Sequence, residues 1–124
     1  MSKVNIKTRL VNPEGTNENK TKGIISNNKL SYNENDFKVS LDIFADYITM
    51  TTKSDEHILE LLFKEGTETK GKYTLLSNNV EVSVNIFTKL LQISDNYIKI
   101  KYVFNEEERL YEIEYEEIVW LMIY

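Results

Sequence analysis

Apolar and polar residues alternate through much of this 124-residue chain, and this alternation constrains its fold more than any other feature. The clearest case spans residues 78–104, where Val80, Val82 and Val84 alternate with polar residues. After Ser-Asp-Asn at 94–96, the alternation resumes from Ile98 to Phe104. A period of two is the spacing of a β-strand that buries one face. The sequence therefore predicts a β-hairpin here, with a tight turn at 94–96.

The first arm of this hairpin loses its alternation between Phe87 and Leu91. A long strand that changes face midway usually contains a β-bulge, which bends the strand and redirects its side chains. We therefore predict a bulge in this interval. A long bent strand fits a closed barrel better than a flat sheet, because closure requires tilt and curvature.

Other segments carry the same strand signal, separated by turns rich in asparagine, aspartate and glycine. The predicted strands are residues 3–11, 20–26, 29–34, 37–44, 47–52, 57–63, 70–76 and 108–116. Residues 12–15 contain the only proline and form a predicted turn, and residues 16–20 (TNENK) are predicted to continue it as a polar loop. Nine or ten strands without a long helix predict a single all-β domain over residues 1–124. Consecutive hairpins favour a closed or nearly closed antiparallel meander barrel of 8–10 strands.

Composition narrows the functional classes. The net charge is −5, so duplex nucleic acid and anionic membranes are not expected partners. The chain has no cysteine, and its first residues lack the apolar stretch of a secretory signal, which together predict a cytoplasmic protein.

No catalytic or metal-binding motif stands out. His57 is the only histidine, and beside an acidic turn it is expected at the surface. The glycines form no phosphate-binding loop, and the carboxylates lie in turns or on predicted solvent faces. We predict a protein that is not an enzyme and binds no metal or cofactor.

Aromatic residues give the best indication of a site. Eight tyrosines lie largely within predicted strands, and a barrel of about eight strands can hold one small ligand. Tyrosine hydroxyls supply the few polar groups that a mostly apolar pocket needs. The candidate interior ligand-binding residues are Tyr32, Glu34, Tyr47, Tyr73 and Tyr102, with Glu34 as the inward charge.

The last seven residues, IVWLMIY at 118–124, are too few to span a bilayer as a helix. They are expected to continue the last strand or to cover one end of the barrel. The alternative is a contact with a partner or with a second copy as a homodimer, through Trp120, Leu121 and Tyr124, because tryptophan and tyrosine anchor interfaces.

Several short motifs, in this order along the chain, resemble the YwiB-like family of small uncharacterised bacterial β-barrels with a calycin-like (lipocalin-like) fold. They are Thr-Lys-Gly at 21–23 with Tyr-Asn-Glu at 32–34, KVSLDI at 38–43, GTETKGKYT at 66–74, Phe-Thr at 87–88 with Leu90, and IKIKY at 98–102. The resemblance covers residues 3–115 and implies a meander barrel of eight to ten strands without an assigned activity. An Arg-x-Gly-like turn of the family is replaced by Thr-Lys-Ser at 52–54, so no role of that arginine carries over.

Three hypotheses follow. The first is a barrel that binds a small, largely apolar ligand in its interior without catalysis. The second is a structural barrel that docks a partner or its own copy through the tail or a sheet edge. The third is a single-stranded nucleic-acid barrel using Tyr97, Lys99 and Lys101. The net acidity and the excess of strands over the five of an OB-fold disfavour the third.

Overall fold

The computed structural model describes residues 2–118, and it is an all-β structure. Trp120, Leu121 and Tyr124 of the predicted interface lie outside the described residues. The ten strands are β1 (Ser2–Asn12), β2 (Gly15–Ser26), β3 (Lys29–Glu34), β4 (Phe37–Ile43), β5 (Tyr47–Lys53), β6 (His57–Lys64), β7 (Thr67–Leu75), β8 (Val80–Ser94), β9 (Tyr97–Phe104) and β10 (Glu107–Glu117). No helix among the described residues is long and apolar enough to cross a membrane.

Each strand pairs antiparallel with the next one, and β1 pairs with β10 to close the barrel. The predicted closed antiparallel meander barrel is confirmed. At the closing seam Val4 lies opposite Glu117 and Val11 lies opposite Leu110. The backbone N–H of Ile118 donates to the carbonyl of Lys3 at 2.9 Å, so the seam extends one residue beyond β10.

Asparagine forms five of the nine turns between strands. Asn27, Asn35, Asn79, Asn96 and Asn105 all have positive φ. A short polar side chain tolerates this left-handed conformation better than other non-glycine residues do. The turns predicted at 27–28, 35–36, 77–79 and 94–96 are therefore confirmed.

The predicted bulge is also present. Thr88 lies opposite Tyr102 and Leu90 lies opposite Lys101, so Lys89 is the extra residue of β8. Before the bulge Thr88 faces the interior, and after it Leu91 takes that face opposite Ile100. The bulge explains why the alternation of the sequence fails between Phe87 and Leu91.

Two strands begin several residues earlier than predicted, β7 at Thr67 instead of residue 70 and β2 at Gly15 instead of residue 20. The polar residues 16–20 are part of β2 and pair in register with β1, from Val11 opposite Thr16 to Lys7 opposite Lys20. Pairing needs only backbone N–H and C=O groups, so a strand without apolar side chains still forms beside a strong neighbour. The polar face of this half of β2 contributes to the site described below.

The apolar core fills one end of the barrel. Most fully buried apolar side chains lie towards the end that carries the β2–β3, β4–β5, β6–β7 and β8–β9 turns. They are Phe63, Leu30, Leu41, Ile48, Ile86, Ile98, Ile100, Ile113 and Val4. We call the opposite end, which carries the β1–β2, β3–β4, β5–β6, β7–β8 and β9–β10 turns, the mouth.

The β7–β8 hairpin extends beyond the end of β9. β9 pairs with β8 only from Ile86 onward, so residues 80–85 have β7 beside them on one edge and no paired strand on the other among the described residues. Val80 and Val82 therefore have the alternation of a buried face but are 44% and 48% exposed.

Candidate functional site

A carboxylate lies inside the barrel just below the mouth. Leu30 and Tyr32 of β3 are buried, and strand alternation places Glu34 on the same inward face. Thr8 Oγ1 donates to Glu34 Oε1 at 2.9 Å, and the Tyr111 hydroxyl donates to Glu34 Oε2 at 3.0 Å. Both carboxylate oxygens are thus held by donors from strands that are distant from β3 in the chain.

A second tyrosine extends this arrangement. The hydroxyls of Tyr32 and Tyr111 are hydrogen-bonded to each other in the buried interior. Because Tyr111 donates its proton to Glu34, Tyr32 must donate to Tyr111. Burial raises the pKa of both tyrosines, and the negative charge of Glu34 raises it further. Both hydroxyls therefore stay protonated and keep donating towards Glu34. We call Thr8, Tyr32, Glu34 and Tyr111 the carboxylate cluster.

A cavity of about 390 Å³ opens beside the carboxylate cluster. It lies where β2 has no strand on its second edge, because β2 pairs with β3 only over residues 23–26. Its lining combines polar and apolar side chains: Leu10, Asn17, Glu18, Asn19, Glu34, Asn35, Phe37, Val39, Thr52 and Tyr111. Its volume falls within the range of small-molecule sites in proteins, roughly 300–1,000 Å³.

Asn19 adds an unused donor to this cavity. It lies opposite Thr8 in the β1–β2 register, and its Nδ2 is buried without a hydrogen-bond partner among the described residues. Each oxygen of Glu34 accepts one side-chain hydrogen bond within that same region, although a carboxylate can accept about four in total. The cavity lining therefore contains a carboxylate with spare acceptor capacity and, beneath its surface, an amide donor without a partner.

Aromatic rings line the side of the mouth formed by β4, β6 and β7. The ring of His57 stacks on Tyr73 with centroids 5.3 Å apart, and it lies 5.4 Å from the ring of Phe37. His57 was expected at the surface, but the structure places it half-buried between these rings. Ser54 Oγ lies 3.4 Å from its Nδ1.

A cation, Arg109 of β10, also lies at the mouth. The Arg109 guanidinium carbon is 4.8 Å from the centre of the Phe104 ring, and its Nη2 is 3.6 Å from Glu107. Its Nε is buried without a partner in residues 2–118. Tyr102, opposite Arg109 in the register, packs edge-on against Phe63 at 5.0 Å, and burial raises its pKa.

The five predicted interior residues differ in position. Tyr32 and Glu34 belong to the carboxylate cluster, Tyr102 is buried below Arg109, and Tyr73 is half-buried against His57. Tyr47 does not join them. It lies on the face opposite the buried Ile48 and stacks on Phe44 at 4.4 Å, so the assignment of Tyr47 to the interior is corrected.

Four residues of the mouth were not predicted: Thr8, Asn19, Arg109 and Tyr111. Tyr111 shares its strand face with Ile113, and that alternation was the available signal for both Tyr111 and Arg109. Asn19 carried no signal, because its strand was interpreted as a loop. No cluster of three or more histidine, aspartate or glutamate side chains within residues 2–118 could hold a metal ion.

The outer face of β9 differs from the platform that single-stranded nucleic acid would need. The Tyr97 hydroxyl donates to Glu112 at 2.6 Å, and this hydrogen bond raises the pKa of Tyr97 to about 12. Lys101 Nζ lies 2.9 Å from Glu108. Carboxylates therefore neutralise the positive charge that phosphate binding requires.

Comparison with known proteins identifies the fold. No protein-family model and no curated protein matches the sequence. Among solved structures, the chain is similar to the crystal structure of YwiB protein from Bacillus subtilis, with a TM-score of 0.72 and 16% sequence identity. The similarity covers 95% of this chain and 93% of that one. The chain therefore has a YwiB-like fold.

Proposed function

We propose that this protein binds a small molecule in the mouth of the barrel, without catalysis. The ligand has an apolar body and a cationic or donor-rich group that meets Glu34. The observation that carries this proposal is the cavity of about 390 Å³ whose wall contains an inward carboxylate with spare acceptor capacity.

The polar end of the ligand follows from the carboxylate cluster. Glu34 is fixed by Thr8 and Tyr111, so it does not have to be ordered when a ligand arrives. Pre-organisation of this kind lowers the entropic cost of binding. A rotation of the Asn19 side chain would turn its buried, unpartnered Nδ2 towards an acceptor on the same ligand. An amine, or an amino alcohol that also carries an acceptor, has the matching chemistry.

The apolar body of the ligand follows from the apolar part of the cavity lining. Leu10, Phe37 and Val39 line the cavity, and these side chains gain from contact with aliphatic or aromatic carbon. The calycin-like architecture implied by the family resemblance also supports a ligand inside the barrel. The cavity lining is more polar than a purely apolar ligand would need, so the proposed ligand carries a charged group.

A matched pair of probes tests the proposal. Hexylamine and hexanoate share an alkyl chain and differ in the sign of their head groups. In a two-dimensional NMR titration, hexylamine should shift the amide signals of Asn19, Glu34 and Tyr111, while hexanoate should not. Glu34→Gln should weaken hexylamine binding about tenfold or more, because a hydrogen bond to a charged group contributes about 1.5–3 kcal/mol.

Glu112→Gln is the control, because Glu112 lies on the outer face and bonds Tyr97 and Arg9. It should leave hexylamine binding unchanged. Equal binding by Glu34→Gln and the wild-type protein, or shifts confined to the outer face, would show that the mouth is not the site.

A further inference from the structure

We infer that the free edge of β8 at residues 80–84 pairs antiparallel with the same edge of a second copy, forming a twofold dimer. This surface is separate from the ligand-binding cavity, and its test is independent of the proposed function.

The inference starts from a comparison of two unpaired strand edges in the barrel wall. β2 has a free edge over residues 15–22, and β8 has one over residues 80–85. Natural proteins protect such edges with lysine, proline, bulges or inward charges, because a row of unpaired N–H and C=O groups recruits another strand. The β2 edge, GTNENKTK, carries two lysines and no large apolar side chain.

The β8 edge has none of these protections. Its sequence, VEVSVN, contains no lysine and no proline, and the bulge of β8 lies further on, at Lys89. Val80 and Val82 are 44% and 48% exposed. Three valines at alternating positions are also residues that favour β pairing.

Symmetry selects the register. A twofold axis perpendicular to the sheet leaves the even-numbered side chains of both copies on the same side of the sheet. Two residues that pair must therefore both have even numbers or both have odd numbers. Centring the axis on Val82 places Val80 opposite the partner's Val84 and Val82 opposite the partner's Val82. Moving the centre to Ser83 would leave Val80 unpaired, because its counterpart Ile86 already pairs with Phe104. The Val82-centred register therefore fits the free segment.

Charge agrees with this register. Glu81 meets the partner's Ser83, so the two Glu81 carboxylates are not directly opposite each other, an arrangement that would destabilise the pair. Lys72 lies opposite Ser83 in the β7–β8 register, in the same cross-strand row as the partner's Glu81. Lys72 already lies 3.7 Å from Glu81 and Glu60 of its own copy, so in this register the partner's Glu81 joins a row that contains a positive charge.

Because the chain contains no cysteine, single cysteine variants report this contact directly. Residues opposite each other in an antiparallel pair have Cα atoms about 4.5–5.5 Å apart, within the reach of a disulfide. Under a mild oxidant, Val82→Cys should form a covalent dimer several-fold faster than Glu81→Cys. Thr16→Cys, on the protected β2 edge, should stay monomeric.

Sedimentation velocity of cysteine-free variants provides the second measurement. The wild-type mass should rise towards twice the monomer mass as concentration increases, and Val82→Lys should stay monomeric while keeping the wild-type circular dichroism spectrum. Thr16→Lys should associate like the wild-type protein. A wild-type protein that is monomeric at every concentration would overturn the inference. Equal crosslinking of Val82→Cys and Glu81→Cys would also overturn it, and so would a dimer that disappears only on deletion of residues 119–124.

Discussion

The Tyr111 hydroxyl reaches across the barrel interior and donates to Glu34 at 3.0 Å, although two strands, β1 and β2, separate β10 from β3 in the wall. This contact links two parts of the wall that are three strands apart, just below the mouth. It also fixes the carboxylate that the proposed ligand would meet.

Removing this hydroxyl should destabilise the protein. Tyr111→Phe leaves one oxygen of Glu34 and the hydroxyl of Tyr32 without their partner. We expect the free energy of unfolding to fall by about 2–4 kcal/mol, since a buried polar group left unpaired costs about 1–3 kcal/mol. Urea unfolding measures the change. Tyr97→Phe is the control, because its bond to Glu112 lies on the outer face, and it should cost less than about 1 kcal/mol.

Two buried threonines should respond in opposite directions to the same substitution. Thr88 Oγ1 is buried without a partner among the described residues, so Thr88→Val should raise the free energy of unfolding by about 1 kcal/mol. Thr8 is equally buried but donates to Glu34, so Thr8→Val should lower it by about 1.5–3 kcal/mol. Thermal and urea unfolding of both variants test the pair, and a shared sign would contradict the assigned hydrogen bonds.

Stability should fall in alkaline solution. The folded pKa values of Tyr32, Tyr97 and Tyr111 are raised above the ordinary value of 10.0. Their contribution is complete below about pH 10 and is lost as pH rises above it, because the unfolded chain releases these protons first. The buried Tyr32 and Tyr111 each add about 1.4 kcal/mol per pH unit to the decline, and Tyr97 adds less because solvent screens its interaction with Glu112.

Urea unfolding across this pH range, together with tyrosinate absorbance of the folded protein, measures this effect. Tyr111→Phe should make the decline shallower. A folded protein that ionised all its tyrosines near pH 10 would contradict the burial of the carboxylate cluster.

Two glycines are required by the close approach of strands. A Cβ at Gly23 would collide with the Ser31 carbonyl and with Ile6, and a Cβ at Gly71 would lie 2.6 Å from the Glu60 carbonyl. Alanine at either position should cost about 1–3 kcal/mol, the usual penalty of overpacking. Lys22→Ala and Lys70→Ala, on neighbouring exposed positions, should change stability by less than about 0.5 kcal/mol. Thermal unfolding distinguishes the two groups.

Alternation predicted most of this barrel because a period of two appears wherever a strand has one apolar face. It located the strands, the asparagine turns and the bulge near Lys89. It failed at residues 16–20, where the inward face is polar because it borders the mouth.

The site was only partly predictable, because its contacts join residues that are distant in the chain. Tyr32 and Glu34 stood out on one strand, but Thr8 becomes their neighbour only when β1, β2 and β3 pair, and Tyr111 only when β10 closes against β1. Tyr47 and Tyr32 are both tyrosines within predicted strands, so both were predicted to face the interior. Neighbouring residues of a strand lie on opposite sides of the wall, and Tyr47 lies on the side opposite the buried Ile48. Val80 is the opposite case. It lies on the alternating apolar face of β8, yet it is exposed because β8 extends there beyond the end of β9.

The closing seam has a consequence for how the chain folds. Nine of the ten strand pairings join consecutive strands, so they form through short local loops. The pairing of Val4 with Glu117 instead joins the two ends of the described chain. Loop-closure entropy rises with the separation of the paired residues, so this seam is the costliest contact to make first. We expect the hairpins to form one after another and the seam to close last. Weakening the ion pair between Arg9 and Glu112 across the seam should therefore accelerate unfolding more than it slows folding.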